Sequence, residues 1–159
     1  MSMIAYICAA SDREIADVSN WSKVYSVFDR TKLSSVLCLE KSWHCLHFLL
    51  AGSSAESSDV LGFLLSGGSE VGVQLSYGRP RLFSSEQVKR LNSAISALSA
   101  STVVDRMDLQ ALSAAAIYPN IWDEDIDDLK DEYSEYYSAL QSFIRDLAEH
   151  DAQMLVAVI

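Results

Sequence analysis

The chain has 159 residues, a hydrophobic fraction of 50%, and a formal net charge of −10 from 12 basic and 22 acidic side chains. This length is typical of one domain, so we treat residues 1–159 as a single domain. The apolar content excludes an intrinsically disordered chain. The acidic balance repels phosphate backbones and excludes a nucleic-acid-binding protein. No apolar run reaches the ~20 residues of a membrane-spanning helix, so we expect no membrane association.

Cysteine usage and the first residues indicate the compartment. Cys8, Cys38 and Cys45 are too few, and odd in number, for a disulfide framework. Free thiols are typical of a reducing environment. Residues 1–7 lack the basic segment with which a secretory signal begins. We therefore expect a cytoplasmic protein.

The first elements are a strand and a short helix. Met3–Ala9 is apolar on both faces, which is typical of a buried strand. Ser11 or Asp12 can cap a helix that runs to about Val18. Residues 19–38 show no clean period, and no element is assigned to them.

The middle of the chain predicts a core helix. Glu40–Leu50 has no charged side chain after Ser42, and Gly52 follows as a helix-ending residue. A helix that is apolar nearly all round belongs in a core. Val60–Leu65 is predicted as a further short helix, and the weak alternation of Val71–Leu75 predicts a strand.

Helices also fill most of the second half. Ser84 and Gln87 have the spacing of a capping box, and the helix that they begin runs to about Ala100. A helical stretch restarts directly after it. Another begins at Asp108 and ends at Pro119, because proline disfavours helix in the residue before it.

The last helix is predicted to be the longest, with Asp123 as its cap. Met154–Ile159 then forms a final apolar strand, which can pair with the first strand at the centre of a sheet. The fold class is therefore α+β, with a small central sheet that includes the N- and C-terminal strands, covered by five or six helices. The apolar stripe of the last helix has alternating spacings of three and four residues. It consists of Ile126, Leu129, Tyr133, Tyr136, Leu140, Phe143 and Leu147.

Three segments carry a resemblance to a known family. They are Lys41–Gly52, Tyr77–Arg81 leading into Ser85–Val88, and Ile117–Trp122, and the opening Met3–Tyr6 agrees with them. Over its whole length the chain resembles the bacterial family of domains of unknown function numbered 1877, also described as YfbM-like. The resemblance implies a compact α+β bacterial domain, and it implies no activity.

His44 and His47 raise the question of a metal site. They lie three residues apart on the predicted core helix, with Cys45 between them, and both residue types bind zinc. A closed zinc site needs four ligands, and no second pair follows within reach. We therefore expect a core helix with hydrogen-bonded histidines, no metal and no cofactor. A polar ligand pocket remains the alternative.

The aromatic residues of the family-like segments are candidates for such a pocket, which would be a small-molecule-binding or catalytic site. Small-molecule sites combine aromatic walls with a few fixed polar groups, and an arginine pairs well with a carboxylate or phosphate. Ordinary core packing is the other explanation. No nucleophile elbow or phosphate loop is present, so no catalytic residue is assigned. The candidate pocket residues are Trp43, His44, His47, Tyr77, Arg79, Arg81, Tyr118 and Trp122.

The strongest surface feature is an acidic block at residues 123–135, in which eight carboxylates are opposed only by Lys130. A solvated helix face is one explanation. The other is a surface complementary to a basic protein partner. On that second view the chain is a non-enzymatic binding module, a monomer or weak dimer, and an immunity-type protein is one form of it. Its partner-binding residues, here called the acidic face, are Asp123, Glu124, Asp127, Asp128, Asp131, Glu132 and Glu135.

Overall fold

In the computed structural model, which describes residues 2–159, five strands form one sheet and seven α-helices surround it. The strands are β1 (Ala5–Ala10), β2 (Val36–Cys38), β3 (Ser69–Glu70), β4 (Arg81–Phe83) and β5 (Gln153–Val158). The helices are α1 (Asp12–Asp17), α2 (Val24–Val27), α3 (Trp43–Ala51), α4 (Ser85–Ser96), α5 (Ala100–Val104), α6 (Leu109–Ala114) and α7 (Ile126–Glu149), and a short 3-10 helix spans Val60–Gly62.

The sheet is antiparallel throughout, with the strand order β2-β1-β5-β4-β3. The first and last strands pair along their whole length, with Ile7 opposite Val156. The predicted α+β fold and the predicted pairing of the terminal strands are confirmed. The helices number seven rather than five or six. One of them, α2, lies in the stretch whose apolar residues show no clean period.

Both faces of the sheet are covered, which explains why the terminal strands are apolar on both sides. Along β5, Met154 and Val156 belong to the larger core, and Leu155 and Ala157 belong to a smaller one. The larger core contains α3, α4 and the inner face of α7. The smaller core lies under α1, α2 and the loop that follows β3. The site regions described below lie around the larger core.

The strand predicted at Val71–Leu75 is wrong. Leu75 forms an isolated bridge to Gly78, and Val71 donates its backbone N–H to the Pro80 carbonyl at 2.8 Å. The strands of this region are β3 and β4. Val73 instead donates its backbone N–H to the Val18 carbonyl at 2.9 Å. The alternation therefore marks a loop whose apolar side chains pack on the smaller core.

Helix α7 begins two residues later than predicted. Asp125 rather than Asp123 caps it, and its Oδ1 accepts the backbone N–H groups of Asp127 at 2.9 Å and Asp128 at 3.2 Å. None of the helices in residues 2–159 is long and apolar enough to cross a membrane. The buried face of α7 comprises Leu129, Tyr133, Tyr137, Leu140, Ile144, Leu147 and Ala148.

Candidate functional site

Helix α3 is buried on most sides, and His47 lies at its centre. The His47 side chain is fully buried, and its Nε2–H donates to the Ala55 carbonyl at 2.8 Å. Burial lowers the pKa of His47, the hydrogen bond to Ala55 opposes that shift, and the nearby His44 and Arg81 add to the lowering. His47 is therefore a buried core residue with a hydrogen bond inside the protein, which is the first of the two interpretations that the sequence leaves open. Its Nδ1 makes no hydrogen bond within residues 2–159.

His44, one turn earlier, joins two loops. Its Nδ1 accepts the backbone N–H of Tyr118 at 3.0 Å, and its Nε2 lies 2.9 Å from the Ser54 carbonyl. Since Nδ1 accepts, the ring proton must be on Nε2, which donates to Ser54. Both nitrogens are thus occupied by the protein itself, which leaves neither of them for a ligand.

A groove opens beside this histidine, and we call it the Trp43 groove. Its cavity volume is about 700 Å³, and its walls include Trp43, His44 and Tyr118. The Trp43 ring stacks on the His44 ring at 5.0 Å, and its Nε1–H donates to the Met3 carbonyl at 3.1 Å. The side chain of Asn120, which also lines the groove, has no hydrogen bond within residues 2–159.

The structure does not bring the other candidate pocket residues to this groove. Tyr77 and Arg79 lie in the loop that packs on the smaller core, where Arg79 donates to the Gly72 carbonyl at 2.6 Å. Trp122 is buried in the larger core and donates its Nε1–H to the Ile117 carbonyl at 2.8 Å. These three side chains, with His47, therefore lie outside the groove.

Arg81 also lies elsewhere, because its guanidinium is held by four backbone carbonyls. It donates to Phe63 and Leu64 at 2.8 Å each, to Gly67 at 3.2 Å, and to Ser66. Burial lowers the pKa of Arg81 to about 10. The side chain closes the turn that follows the 3-10 helix, so its donors are used within the fold and are not free for an anion.

The acidic face is exposed, and it extends from the segment before α7 along the first turns of that helix. All seven of its carboxylates lie on the solvent side, and none of them forms an ion pair within residues 2–159. The block's single cation, Lys130, points to Asp105, with its Nζ 3.5 Å from Oδ1. The protein's own side chains therefore leave this charge unneutralised.

A second groove, which we call the Tyr136 groove, borders the acidic face. It has a cavity volume of about 420 Å³ and lies between the start of α3 and the outer face of α7. Burial, Glu132 and Glu40 raise the pKa of Tyr136, and the groove is lined by these two carboxylates and by Lys41. The sequence places Tyr136 in the apolar stripe and gives no sign of the groove. Its walls include Glu40, Pro119, Ile121, Glu132 and Tyr136.

The three cysteine thiols are free, and two of them, Cys8 and Cys45, are buried. Burial raises the pKa values of Cys8 and Cys45 to about 12, and the thiolate is the nucleophilic form. Across residues 2–159, no group of three or more histidine, cysteine, aspartate or glutamate side chains is placed to hold a metal ion.

Comparison with known proteins agrees with this fold. The crystal structure of a protein of unknown function, YfbM from Escherichia coli, matches with a TM-score of 0.74 at 17% sequence identity, over 98% of this chain and 99% of that one. Among curated proteins, none matches the chain significantly. The family model for the domain of unknown function DUF1877 matches residues 1–157. The chain therefore belongs to the DUF1877 family.

Proposed function

We propose that the chain is a non-enzymatic binding module that docks a basic protein partner on its acidic face. The observation that carries the proposal is the exposed position of all seven carboxylates without one ion pair to the rest of the described chain. A surface of this kind accelerates the encounter with a positively charged partner, because opposite potentials attract over several ångströms.

The helix dipole explains only some of the carboxylates of the acidic face. Asp127 and Asp128 lie in the first turn of α7, where a carboxylate gains about 0.3–1 kcal/mol from the helix dipole. Asp131, Glu132 and Glu135 lie beyond that turn and gain nothing from it. Like charges so close together repel one another, and a basic partner would relieve that repulsion.

The Tyr136 groove supplies an anchor for such a partner. Aromatic side chains at the centre of an interface carry much of its binding energy, and a guanidinium stacks favourably on a tyrosine ring. Glu40 is already paired with Arg30 at 2.6 Å. Glu132 is unpaired and lines the same groove as Tyr136. We therefore assign Glu132 and Tyr136 as the receptor for one arginine or lysine of the partner.

The proposal also includes the cellular compartment and the kind of partner. Three free thiols, two of them buried, support a reducing cytoplasm. A monomer or weak dimer would leave the acidic face open. An immunity-type protein that neutralises a basic toxin is one concrete form of the proposal, and the charge and size of the chain support it.

The experiment is affinity capture from the source cell with three forms of the chain. The first is the natural sequence, and the second carries Asp128→Lys, Asp131→Lys and Glu135→Lys. The third is a matched control, Asp12→Lys, Glu86→Lys and Glu149→Lys, with the same charge change on exposed carboxylates elsewhere. We expect a basic protein that the natural chain and the control retain and the second form loses. Capture of the same proteins by all three forms would contradict the proposal.

A second candidate function is the binding of a small molecule in the Trp43 groove. The observation that favours it is the cavity of about 700 Å³ with an aromatic wall and the unbonded amide of Asn120. Ser113 faces the same cavity, so Ser113→Trp should fill it. Cellular small molecules that co-purify with the natural chain and not with this variant would support the second function. If the same small molecules co-purify with both folded forms, the second function is contradicted.

A further inference from the structure

A third cavity, separate from both grooves, lies between the 3-10 helix, the chain before β3 and helix α4. Its volume is about 440 Å³. Phe63, Phe83 and Leu91 form an apolar floor, and all three are buried. Val60 stands at the rim with 45% of its surface exposed. These side chains offer an apolar surface for the carbon body of a small molecule.

The backbone at Gly67 and Gly68 makes room for this cavity. Both residues have a positive φ, of 78° and 66°. A Cβ on Gly68 would lie 2.7 Å from the Leu82 carbonyl oxygen and 3.0 Å from the Phe83 ring. Only glycine therefore lets the chain cross the Phe83 ring so closely.

Several hydrogen-bond acceptors around the cavity are used within the protein. The Ser66 hydroxyl accepts the Ser57 N–H at 2.8 Å, and Asp59 Oδ1 accepts the Leu61 N–H at 2.8 Å. Ser57 Oγ accepts the N–H of Asp59 at 3.2 Å. The Ser66 and Gly67 carbonyls accept from the Arg81 guanidinium, whereas Asp59 Oδ2 accepts no hydrogen bond within residues 2–159.

The donors around the same cavity are left without partners. Gly67 and Gly68 donate their backbone N–H groups to no atom of residues 2–159. The Gln87 amide oxygen is fixed by the Ser84 N–H at 2.8 Å, which leaves its NH₂ group unbonded. The Ser58 hydroxyl is likewise unbonded. The polar groups of the cavity lining that lack a hydrogen bond within the described chain therefore include these donors and Asp59 Oδ2.

Arg90 adds a free positive charge. Of the seven arginines, it is the one with no hydrogen bond or ion pair within residues 2–159. Asp59 lines the same cavity but forms no ion pair with it. In a chain with a net charge of −10, an unpaired guanidinium beside unbonded donors is the arrangement that binds an oxyanion.

We propose that this cavity binds a small organic oxyanion, with its carboxylate or phosphate on Arg90 and the N–H groups of Gly67 and Gly68. The apolar part of the ligand lies against Phe63, Phe83 and Val60. The site is independent of the acidic face, with which it shares no residue. Its chemistry suits a metabolite with one anionic end and a compact apolar body.

The test is a titration followed by amide NMR, with phenylacetate, phenyl phosphate, inorganic phosphate and neutral 2-phenylethanol as probes. We expect phenylacetate or phenyl phosphate to shift the Gly67 and Gly68 resonances, and the neutral alcohol to bind at least about tenfold more weakly. The preferred probe identifies the anionic group. A shift by inorganic phosphate alone, equal binding of the alcohol, or no shift up to about 10 mM of any probe would overturn the proposal.

Two variants with matched controls complete the test. Arg90→Gln should weaken binding of the anionic probe by at least about tenfold, and Arg145→Gln, the same change on α7, should leave it unchanged. Val60→Glu places a carboxylate at the rim and should abolish binding. Leu33→Glu makes the same change at an apolar residue that is 83% exposed elsewhere, and it should have no effect. Full binding by folded Arg90→Gln would contradict the assignment.

Discussion

Tyr118 donates its backbone N–H to Nδ1 of His44 over 3.0 Å, across a sequence separation of 74 residues. This contact fixes the start of α3 to the segment that precedes α7. The same imidazole holds the Ser54 carbonyl through Nε2 at 2.9 Å. His44 is therefore a structural link between three parts of the chain, and it lines the Trp43 groove in one defined orientation.

This arrangement predicts the tautomers of two histidines. Near neutral pH, His44 and His47 should both carry their proton on Nε2, because each donates from that atom to a carbonyl. Imidazole ¹⁵N chemical shifts measure this directly. In the Nδ1–H form of His44, two donors, this N–H and the Tyr118 backbone N–H, would face each other. Detection of that form would contradict the structure.

His47 predicts a specific pH dependence of stability. Burial lowers the pKa of His47, so the unfolded chain binds its proton at a higher pH than the folded chain does, near about 6.5. The free energy of unfolding should therefore fall as the pH drops through about 6.5 and should level off below the pKa of the folded state. His47→Gln should remove this part of the pH dependence of the unfolding free energy, measured by denaturant titrations at several pH values. His150→Gln, at an exposed histidine, should leave that pH dependence unchanged.

Leu46 tests the burial of α3. Its side chain is fully buried in the larger core, so Leu46→Ala should lower the free energy of unfolding by about 2–5 kcal/mol. Leu33→Ala changes the same residue type where it is 83% exposed, and we expect it to stay within about 0.5 kcal/mol. Equal denaturation midpoints for the two variants would show that α3 is not in the core.

Arg81 predicts a stability role rather than a ligand role. Arg81→Met would leave several backbone carbonyls without a donor and should lower the free energy of unfolding by about 1–3 kcal/mol. Arg81→Lys should retain only part of this stability, because one ammonium group cannot bond to four carbonyls at once. Arg79→Gln, at an exposed arginine with one carbonyl contact, should cost no more than about 1 kcal/mol. Equal thermal melts for Arg81→Met and the natural chain would contradict this role.

The sequence predicts the elements whose patterns are local. β1, β5 and α7 show strong periodicity, and the capping box at Ser84 is present as expected. α3 is recognisable because it lacks charges. Val71–Leu75 misleads because a loop that packs its apolar side chains on a core can imitate the alternation of a strand.

The site regions are only partly visible in the sequence. The acidic face can be read directly, since seven carboxylates on one short stretch need no tertiary information. The Tyr136 groove and the Arg90 cavity depend on contacts between residues far apart in the chain. Arg81 shows the same limit, because its partners follow the 3-10 helix and nothing in the sequence around Tyr77 indicates them.

The acidic face is proposed to recruit a basic partner. The most direct test of this proposal is the association rate constant between the chain and the captured protein, measured over a range of salt concentrations. We predict that the rate falls as the Debye length shrinks below ~8–10 Å. We also predict that Asp128→Lys with Asp131→Lys and Glu135→Lys lowers it at least about tenfold, and that the control reversals at Asp12, Glu86 and Glu149 do not. A rate constant indifferent to salt and to both sets of reversals would contradict the claim.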